Sequence, residues 1–463
     1  MDINTPGINP TAVVLPIETI TPDKDGTSPH PVTGAERIQT IDIVRGVAIL
    51  GILMMNIPGF GIDQTVFLNI LTGPHHTVDY KTLAVIETFF SGTMRGLFSM
   101  LFGAGMILFT LNKKEITNGI TVAEYYYRRL LWLVLFGVIN AYVLLWPGDI
   151  LYFYGLCGMI LYPFRKIRPK WLLLIGIVCI GIGALKNILW YNDMSEKRAN
   201  YVEAIAAEKA NKKLTDKQQE AKTAWLEIEK NQKPDTAAVT KNVRKMHSGY
   251  GTIFTYFIPW NSGGETWGMY HGLWDMLCMM FIGMALFGWG YFSNKVSAST
   301  YTMGLLIGYG IGIPIGWIYF DNGLGGFISN LGVYVDAYRT PHFVLGDIRR
   351  LFLCLGHASL ILLIFRSRII PWLMKGLANV GQMAFTNYLM QSIICTLIFY
   401  GYGFSNYNNL KFHQLYYVVA AIWIFQIIFS VIWLRYFRFG PFEWLWRSLT
   451  YWKKQPMSKV ENY

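Results

Sequence analysis

The stretch Arg37–Asn56, RIQTIDIVRGVAILGILMMN, decides the fold. It opens with charged and hydroxyl residues suited to a helix start, then runs almost uninterrupted through apolar side chains. A run of about 20 such residues crosses the ~30 Å hydrocarbon core of a bilayer as a helix. Asp42 and Arg45, three apart, share a face at its mouth, and Gly46 and Gly51 let a neighbouring helix approach closely. Asn56 lies about 16 Å further along the same helix than Arg45.

The rest of the chain repeats this pattern. Of its 463 residues, 53% are apolar, 16% aromatic and only 15% charged, whereas a soluble domain carries roughly 25% charged residues. Spans are expected near 41–60, 83–110, 128–146, 149–164, 171–190, 268–291, 301–320, 343–365, 377–400 and 415–435. The expected fold is therefore all-α, a polytopic transmembrane bundle of about ten helices. The formal net charge of +12 does not indicate nucleic acid, because Lys and Arg sit in short loops between apolar runs rather than on one basic face. Three of those loops, with Arg128 and Arg129, Arg165 to Lys170, and Arg366 to Lys375, fall on one side together with the basic C-terminal tail. The positive-inside rule then places both termini in the cytoplasm.

Five regions follow: a disordered cytoplasmic tail at 1–36, membrane regions at 37–191 and 248–452, a polar helical insertion outside the membrane at 192–247, and a cytoplasmic tail at 453–463. The first 36 residues are rich in Pro, Thr and Gly and carry no short apolar core, so the first span acts as its own uncleaved signal. The five cysteines, Cys157, Cys179, Cys278, Cys354 and Cys395, stand singly and form no metal-ligand pattern; no metal is expected. No repeat relates the two halves, which disfavours transporter folds built from inverted repeats.

Ionisable and amide residues inside a bilayer face the interior of the bundle and pair there, so they are the candidates for function. Arg45 is either an anchor paired with Asp42 or an inward cation meeting an anion from the cytoplasm. Asn56 either orients a substrate or bonds another helix. Arg95, within Ser91–Gly105, SGTMRGLFSMLFGAG, requires an anionic partner or a watery cavity. Asp149, after Pro147 and Gly148, is placed to cap the next helix. Asn387 and Gln391 share a face, as do Glu443 and Arg447 in a Trp-rich amphipathic tail read as an interfacial anchor.

The segments Arg37–Phe60, Gly96–Phe109, Arg128–Gly158 (RRLLWLVLFGVINAYVLLWPGDILYFYGLCG), Val380–Gly403 (VGQMAFTNYLMQSIICTLIFYGYG) and Gly440–Trp452 (GPFEWLWRSLTYW) resemble, in order, the bacterial YeiB-like family, number 418 among the domains of unknown function. That family is similar, more distantly, to the transmembrane acyltransferases, which include the lysosomal heparan-glucosaminide enzyme and bacterial glycan acyltransferases. The resemblance implies residence in the bacterial inner membrane and transfer of an acyl group from a cytoplasmic acyl-CoA to a glycan or lipid outside. Arg45 would then hold CoA phosphates, since guanidinium groups make charge-assisted bonds to phosphate. The glycan acyltransferases carry His eleven residues after that Arg, where this chain has Asn56, and an amide is no general base. The glucosaminide enzyme also has Asn there, and its resembling His lies in the following loop. Here that loop is Gly73–Tyr80, GPHHTVDY, with His75 and His76.

His76 and His271 are thus the candidate bases, His271 being four residues before Asp275 and on its face. His413 and His342 are outer-loop residues without a carboxylate four positions away. The expected partners are the bilayer, the donor and the acceptor, and the sequence is compatible with a homo-oligomer. Two other readings stand beside acyl transfer: a transporter of a small anionic or lipidic substrate, and a non-catalytic assembly or sensory protein.

Overall fold

The computed structural model describes residues 38–111, 116–117, 120–232 and 236–459; the tail expected at 1–36 lies outside them. Helix α1 (Gln39–Gly61) is the centre of the bundle, with most of its residues buried, Asp42 in its first turn and Pro58 in its last. Asp63 caps the short α2 (Gln64–Leu71) by accepting from the Thr65 amide at 2.9 Å. Next come α3 (Val78–Phe89), capped by Thr77, and α4 (Thr93–Leu111).

The span expected at 83–110 is one candidate span, Val78–Thr110, interrupted by a turn between α3 and α4 where Gly92 takes a φ of +70°. The break is tolerated because the carbonyls it frees find donors. Buried Arg349 donates to Glu87 O and Ser91 O, each at 2.7 Å, and Cys354 Sγ to Thr93 O at 3.2 Å.

Helix α5 (Val122–Tyr142) starts in a capping box of Thr121 and Glu124. The chain turns back through Val143–Ile150 into α6 (Leu151–Leu161), which with its closing 3₁₀ turn reaches only Phe164. Fourteen residues measure about 21 Å, less than a bilayer core, so the turn lies at membrane depth. It is buried in protein there: Trp146 stacks on Phe60 with centroids 3.8 Å apart, and Tyr400 donates to Leu145 O at 3.2 Å.

Helix α7 (Pro169–Lys209) is 41 residues long, about 61 Å by its rise. The helix runs without a break through the boundary expected between 191 and 192, from an apolar N-terminal half into a polar C-terminal one. Helices α8 (Asp216–Gln232) and α9 (Thr236–Met246) follow, and α8 packs back on α7. Tyr191, Met194 and Trp225 form a small core there with residues of a later helix.

Next are α10 (Tyr250–Gly263), which the sequence reading did not anticipate, and α11 (Met269–Gly288), joined through a π-helical turn at Gly264–Gly268 and bent by 60° between Gly268 and Gly272. Helix α12 (Ala298–Ile318) presents Gly304, Gly308, Gly312 and Gly316 on one face, and a Cβ at Gly308 would run into the Gly356 backbone. After the short α13 (Gly326–Ser329) and α14 (Leu331–Ala337), α15 (Gly346–Ser367) packs along this stripe. Arg198 of α7 pairs with Asp336 of α14 at 2.7 Å, holding the insertion to the bundle.

The span expected at 377–400 is also two helices, α16 (Pro371–Gln382) and α17 (Ala384–Phe399), broken at Met383. The chain ends in α18 (Phe412–Tyr436) and α19 (Pro441–Tyr451). Glu443, read from the sequence as part of an interfacial anchor, is buried. Its carboxylate accepts from the Phe385 amide at 2.7 Å, from the Thr386 amide at 3.0 Å and from the Thr386 hydroxyl, so α19 caps α17 from a distance.

Six helices among the described residues are long and apolar enough to cross a membrane, and α10 with α11 makes a seventh if that bent pair is one span. The protein is an all-α polytopic membrane bundle. Arg165, Arg366 and Arg435 mark one end of it, the basic end; α8 and α9 mark the other, the insertion end.

Candidate functional site

A cavity of about 200 Å³ opens among α1, α4, α5, α6, α17 and α19. Along α4 its wall is Phe98, Phe102, Met106 and Phe109, spaced three to four residues apart on one face. From Phe98 to Phe109 that wall runs about 16 Å by the helix rise. Leu101, Leu130, Leu133, Ile150 and Leu151 complete an apolar body, and Tyr154 and Tyr388 stand at the deep end.

At the basic end the lining changes character. Arg45, Arg129 and Arg447 all face the cavity, against one lining carboxylate, Glu443. Asp42 holds Arg45 at 2.9 Å, and Glu443 is taken up by the amides of α17. Arg129 lies over the Trp446 ring at 4.2 Å, while the Trp446 indole donates to Arg129 O at 2.9 Å. Arg447 lies over Phe439 at 4.2 Å. The start of α17, Ala384 and Phe385, also lines the space, its first amides already taken by the Glu443 carboxylate. Like charges gathered around an apolar hole favour an anionic occupant over a neutral one.

Close packing makes this mouth. A Cβ at Gly46 would strike the Leu377 carbonyl, and one at Gly381 the Asp42 carbonyl, so α1 and α16 touch backbone to backbone. Gly51 leaves room for the Met94 side chain of α4. Gly105 leaves room beside the Arg45 guanidinium, which a Cβ there would approach to 4.0 Å.

Beyond the deep end lies a second charged group. Arg95 continues the cavity face of α4 one turn past Phe98, and the Tyr154 hydroxyl donates to its carbonyl at 3.0 Å and bonds Ser99 Oγ at 2.6 Å. The Arg95 side chain meets Asp275 of α11, and Arg350 of α15 meets both Asp275 and, at 3.0 Å, Asp347. Arg95 thus has the anionic partner its position demanded. Asp275, expected to orient His271, faces two guanidinium groups, each able to make charge-assisted hydrogen bonds to its carboxylate.

The histidines are dispersed. His76 is exposed in the loop between α2 and α3, and His75 stacks on Tyr80. His271 belongs to α11, and its side chain lies outside the described residues. His357 is a bonded core residue between Tyr309 and Phe89 O. For His413 the sequence offered no nearby carboxylate, but the fold brings Asp79 to 2.6 Å from its Nδ1.

Asp149 caps α6, accepting from the Tyr152 amide at 2.9 Å and from Asn140 at 2.7 Å; Tyr388 of the cavity wall lies 3.4 Å from it. Asn387 and Gln391 do not line the cavity; they bond Ser430 and Gln426 of α18, and Gln391 also bonds Ile49 O of α1. Asn56 is half-buried and has no hydrogen-bond partner among the described residues. Eleven residues at 100° each return it to within about 20° of the Arg45 face.

Sequence reasoning missed Arg129 and Arg447 as cavity residues, having assigned both to basic segments near the membrane surface, and missed Arg350 and Asp347 altogether. For Arg129 a signal existed. It falls three residues after Tyr126 and four before Leu133, both cavity residues, so helix phase aligns it with them.

A family described as "Protein of unknown function (DUF418)" matches residues 286–453. The uncharacterized protein YeiB of Escherichia coli (strain K12) is 33% identical over 428 residues, covering 90% of this chain and 96% of its own length. The uncharacterized protein YxaH of Bacillus subtilis (strain 168) is 29% identical over 439 residues, covering 94% of this chain and 99% of its own. No solved structure matches the chain.

Proposed function

The chain belongs to the DUF418 family of membrane proteins, and on that premise we propose that it transfers an acyl group from a cytoplasmic acyl-CoA to an acceptor on the other side of the membrane. One observation carries this reading: an apolar shaft about 16 Å deep whose mouth holds three arginines. Acyl-CoA has the matching shape, a phosphorylated head followed by an uncharged arm. The arm is comparable in length to four extended residues, about 14 Å. With its phosphates at Arg45, Arg129 and Arg447, the thioester would reach the level of Phe98 and Tyr154.

In the transfer an acceptor oxygen or nitrogen attacks the thioester carbonyl carbon. The new C–O or C–N bond forms as the C–S bond breaks, and the acceptor's proton ends on the released thiol. A base on the insertion side relays that proton. His271 is the favoured base, because it shares α11 with Asp275, which meets Arg95 one turn past the cavity wall, whereas His76 stands in an exposed loop.

The test uses inverted membrane vesicles from expressing cells, which present the basic end to the medium and retain the native acceptors. Radiolabelled acetyl-CoA should yield label in the membrane or lumenal fraction with equimolar release of free CoA thiol, and His271→Ala should abolish transfer while His76→Ala leaves it intact. The transporter reading has support in the broken pairs α3–α4, α10–α11 and α16–α17, because transporters build their sites from interrupted helices. Saturable movement of an anionic solute without thiol release would favour it.

A further inference from the structure

The quartet of Arg95, Asp275, Arg350 and Asp347 is placed where the acyl acceptor has to arrive. The α4 face that forms the shaft wall continues through Phe98 to Arg95, and Tyr154 belongs to both sites: its ring lines the shaft and its hydroxyl bonds the Arg95 carbonyl. Tyr154 and Phe98 thus stand between the deep end of the shaft and Arg95.

The quartet is not sealed by packing. The Arg95 side chain keeps 33% of its surface exposed and Asp275 20%, although both stand within the apolar length of their helices. An ion pair that merely tied α4 to α11 would lower its energy by closing such a gap, since charges at membrane depth need water, protein partners or a ligand. Arg350 is held by a built trough: Gly92 and Gly96 lie against its side chain, and a Cβ at Gly92 would come within 2.7 Å of its Nε. That buried Nε has no hydrogen-bond partner among the described residues.

Two guanidinium groups and two carboxylates carry no net formal charge and offer many donors and acceptors close together. Such a surface suits the hydroxyls of a sugar, which both give and accept hydrogen bonds. A phosphate would have to displace Asp275 from both arginines. We propose that this quartet is the acceptor subsite, and that it takes an uncharged saccharide arriving from the insertion end.

The proposal rests on the acyl-transfer reading, and its test separates the two. Asp347→Asn and Arg350→Lys are examined in purified protein for acetyl-CoA binding and in inverted vesicles for transfer to native acceptors. Each variant should keep the acetyl-CoA Kd within about twofold, while transfer falls a hundredfold or more in Asp347→Asn and less in Arg350→Lys, which keeps the charge. In intact cells, Asp347→Cys should react with a membrane-impermeant methanethiosulfonate added outside, above the background of the five buried native cysteines.

Labelled acyl groups found on sugar residues after glycosidic cleavage of the organic extract identify a lipid-linked saccharide, and of the aqueous phase a soluble one; both support the subsite, and label only on sugar-free products overturns it. Wild-type transfer with Asp347→Asn, or labelling of Asp347→Cys only from the basic side, overturns the subsite and leaves acyl transfer standing. Absence of transfer by the wild-type protein overturns both.

Discussion

Replacing Arg129 by Ala removes one of three guanidinium groups at the cavity mouth without touching the partners that hold the other two, Asp42 for Arg45 and Phe439 for Arg447. A hydrogen bond to a charged group contributes roughly 1.5–3 kcal/mol. At 1.4 kcal/mol per decade, the acetyl-CoA Kd should rise about tenfold to a hundredfold. Folding loses a contact as well, because the guanidinium lies 4.2 Å from the Trp446 centroid, worth about 2 kcal/mol where desolvated. Against this, a buried guanidinium is costly to desolvate and Arg129 also faces the like charge of Arg45, so its removal offsets part of that loss in the empty protein. The effect should therefore appear in binding more than in folding.

Titration calorimetry of the purified protein with two ligands isolates it. Acetyl-CoA carries the phosphates; S-acetylpantetheine has the same thioester arm without them. Arg129→Ala should weaken acetyl-CoA as stated and change S-acetylpantetheine less than about threefold, and Arg129→Lys should recover part of the loss, since an ammonium keeps the charge but lacks the planar fork. Added KCl should weaken acetyl-CoA binding to wild type more than to Arg129→Ala. An equal loss for both ligands would make Arg129 a packing residue, and an unchanged Kd for acetyl-CoA in folded protein would refute the anion-site reasoning.

Two further predictions concern the fold and its orientation. Glu443→Ala orphans the buried amides of Phe385 and Thr386 and should destabilise the protein by about 2–5 kcal/mol, whereas Glu443→Gln retains one acceptor oxygen and loses less; equal thermal unfolding midpoints for Glu443→Ala and wild type in detergent would contradict this. A cysteine at Lys222, on α8, should be labelled by an impermeant reagent in intact cells if the insertion end faces out, and labelling confined to permeabilised cells would reverse the orientation.

Local chemistry along the chain determined the class of fold. Apolar runs long enough for a bilayer, with few charges, admit little but helices, because every backbone group must be satisfied within its own segment. The same local logic identified the Asp149 cap, whose donor amide is three residues away, and the glycines Gly46 and Gly51 as points of close approach. It also showed that Arg95 needed a partner, though not which one.

What the sequence could not decide was every meeting of side chains from distant segments. Arg129 and Arg447 look like surface anchors until α5 and α19 converge on one cavity, and Glu443 like part of an amphipathic tail until it reaches the start of α17. Asp275 could be read only against its neighbour His271, yet the fold gives it to Arg95 and Arg350, just as it gives Asp79 to His413. The reason is physical. Helix periodicity fixes which residues share a face, but lipid tails are as apolar as leucine, so hydrophobicity does not say which face meets which helix. Small-residue contacts and buried polar partners make that choice, and they exist only once the helices are packed.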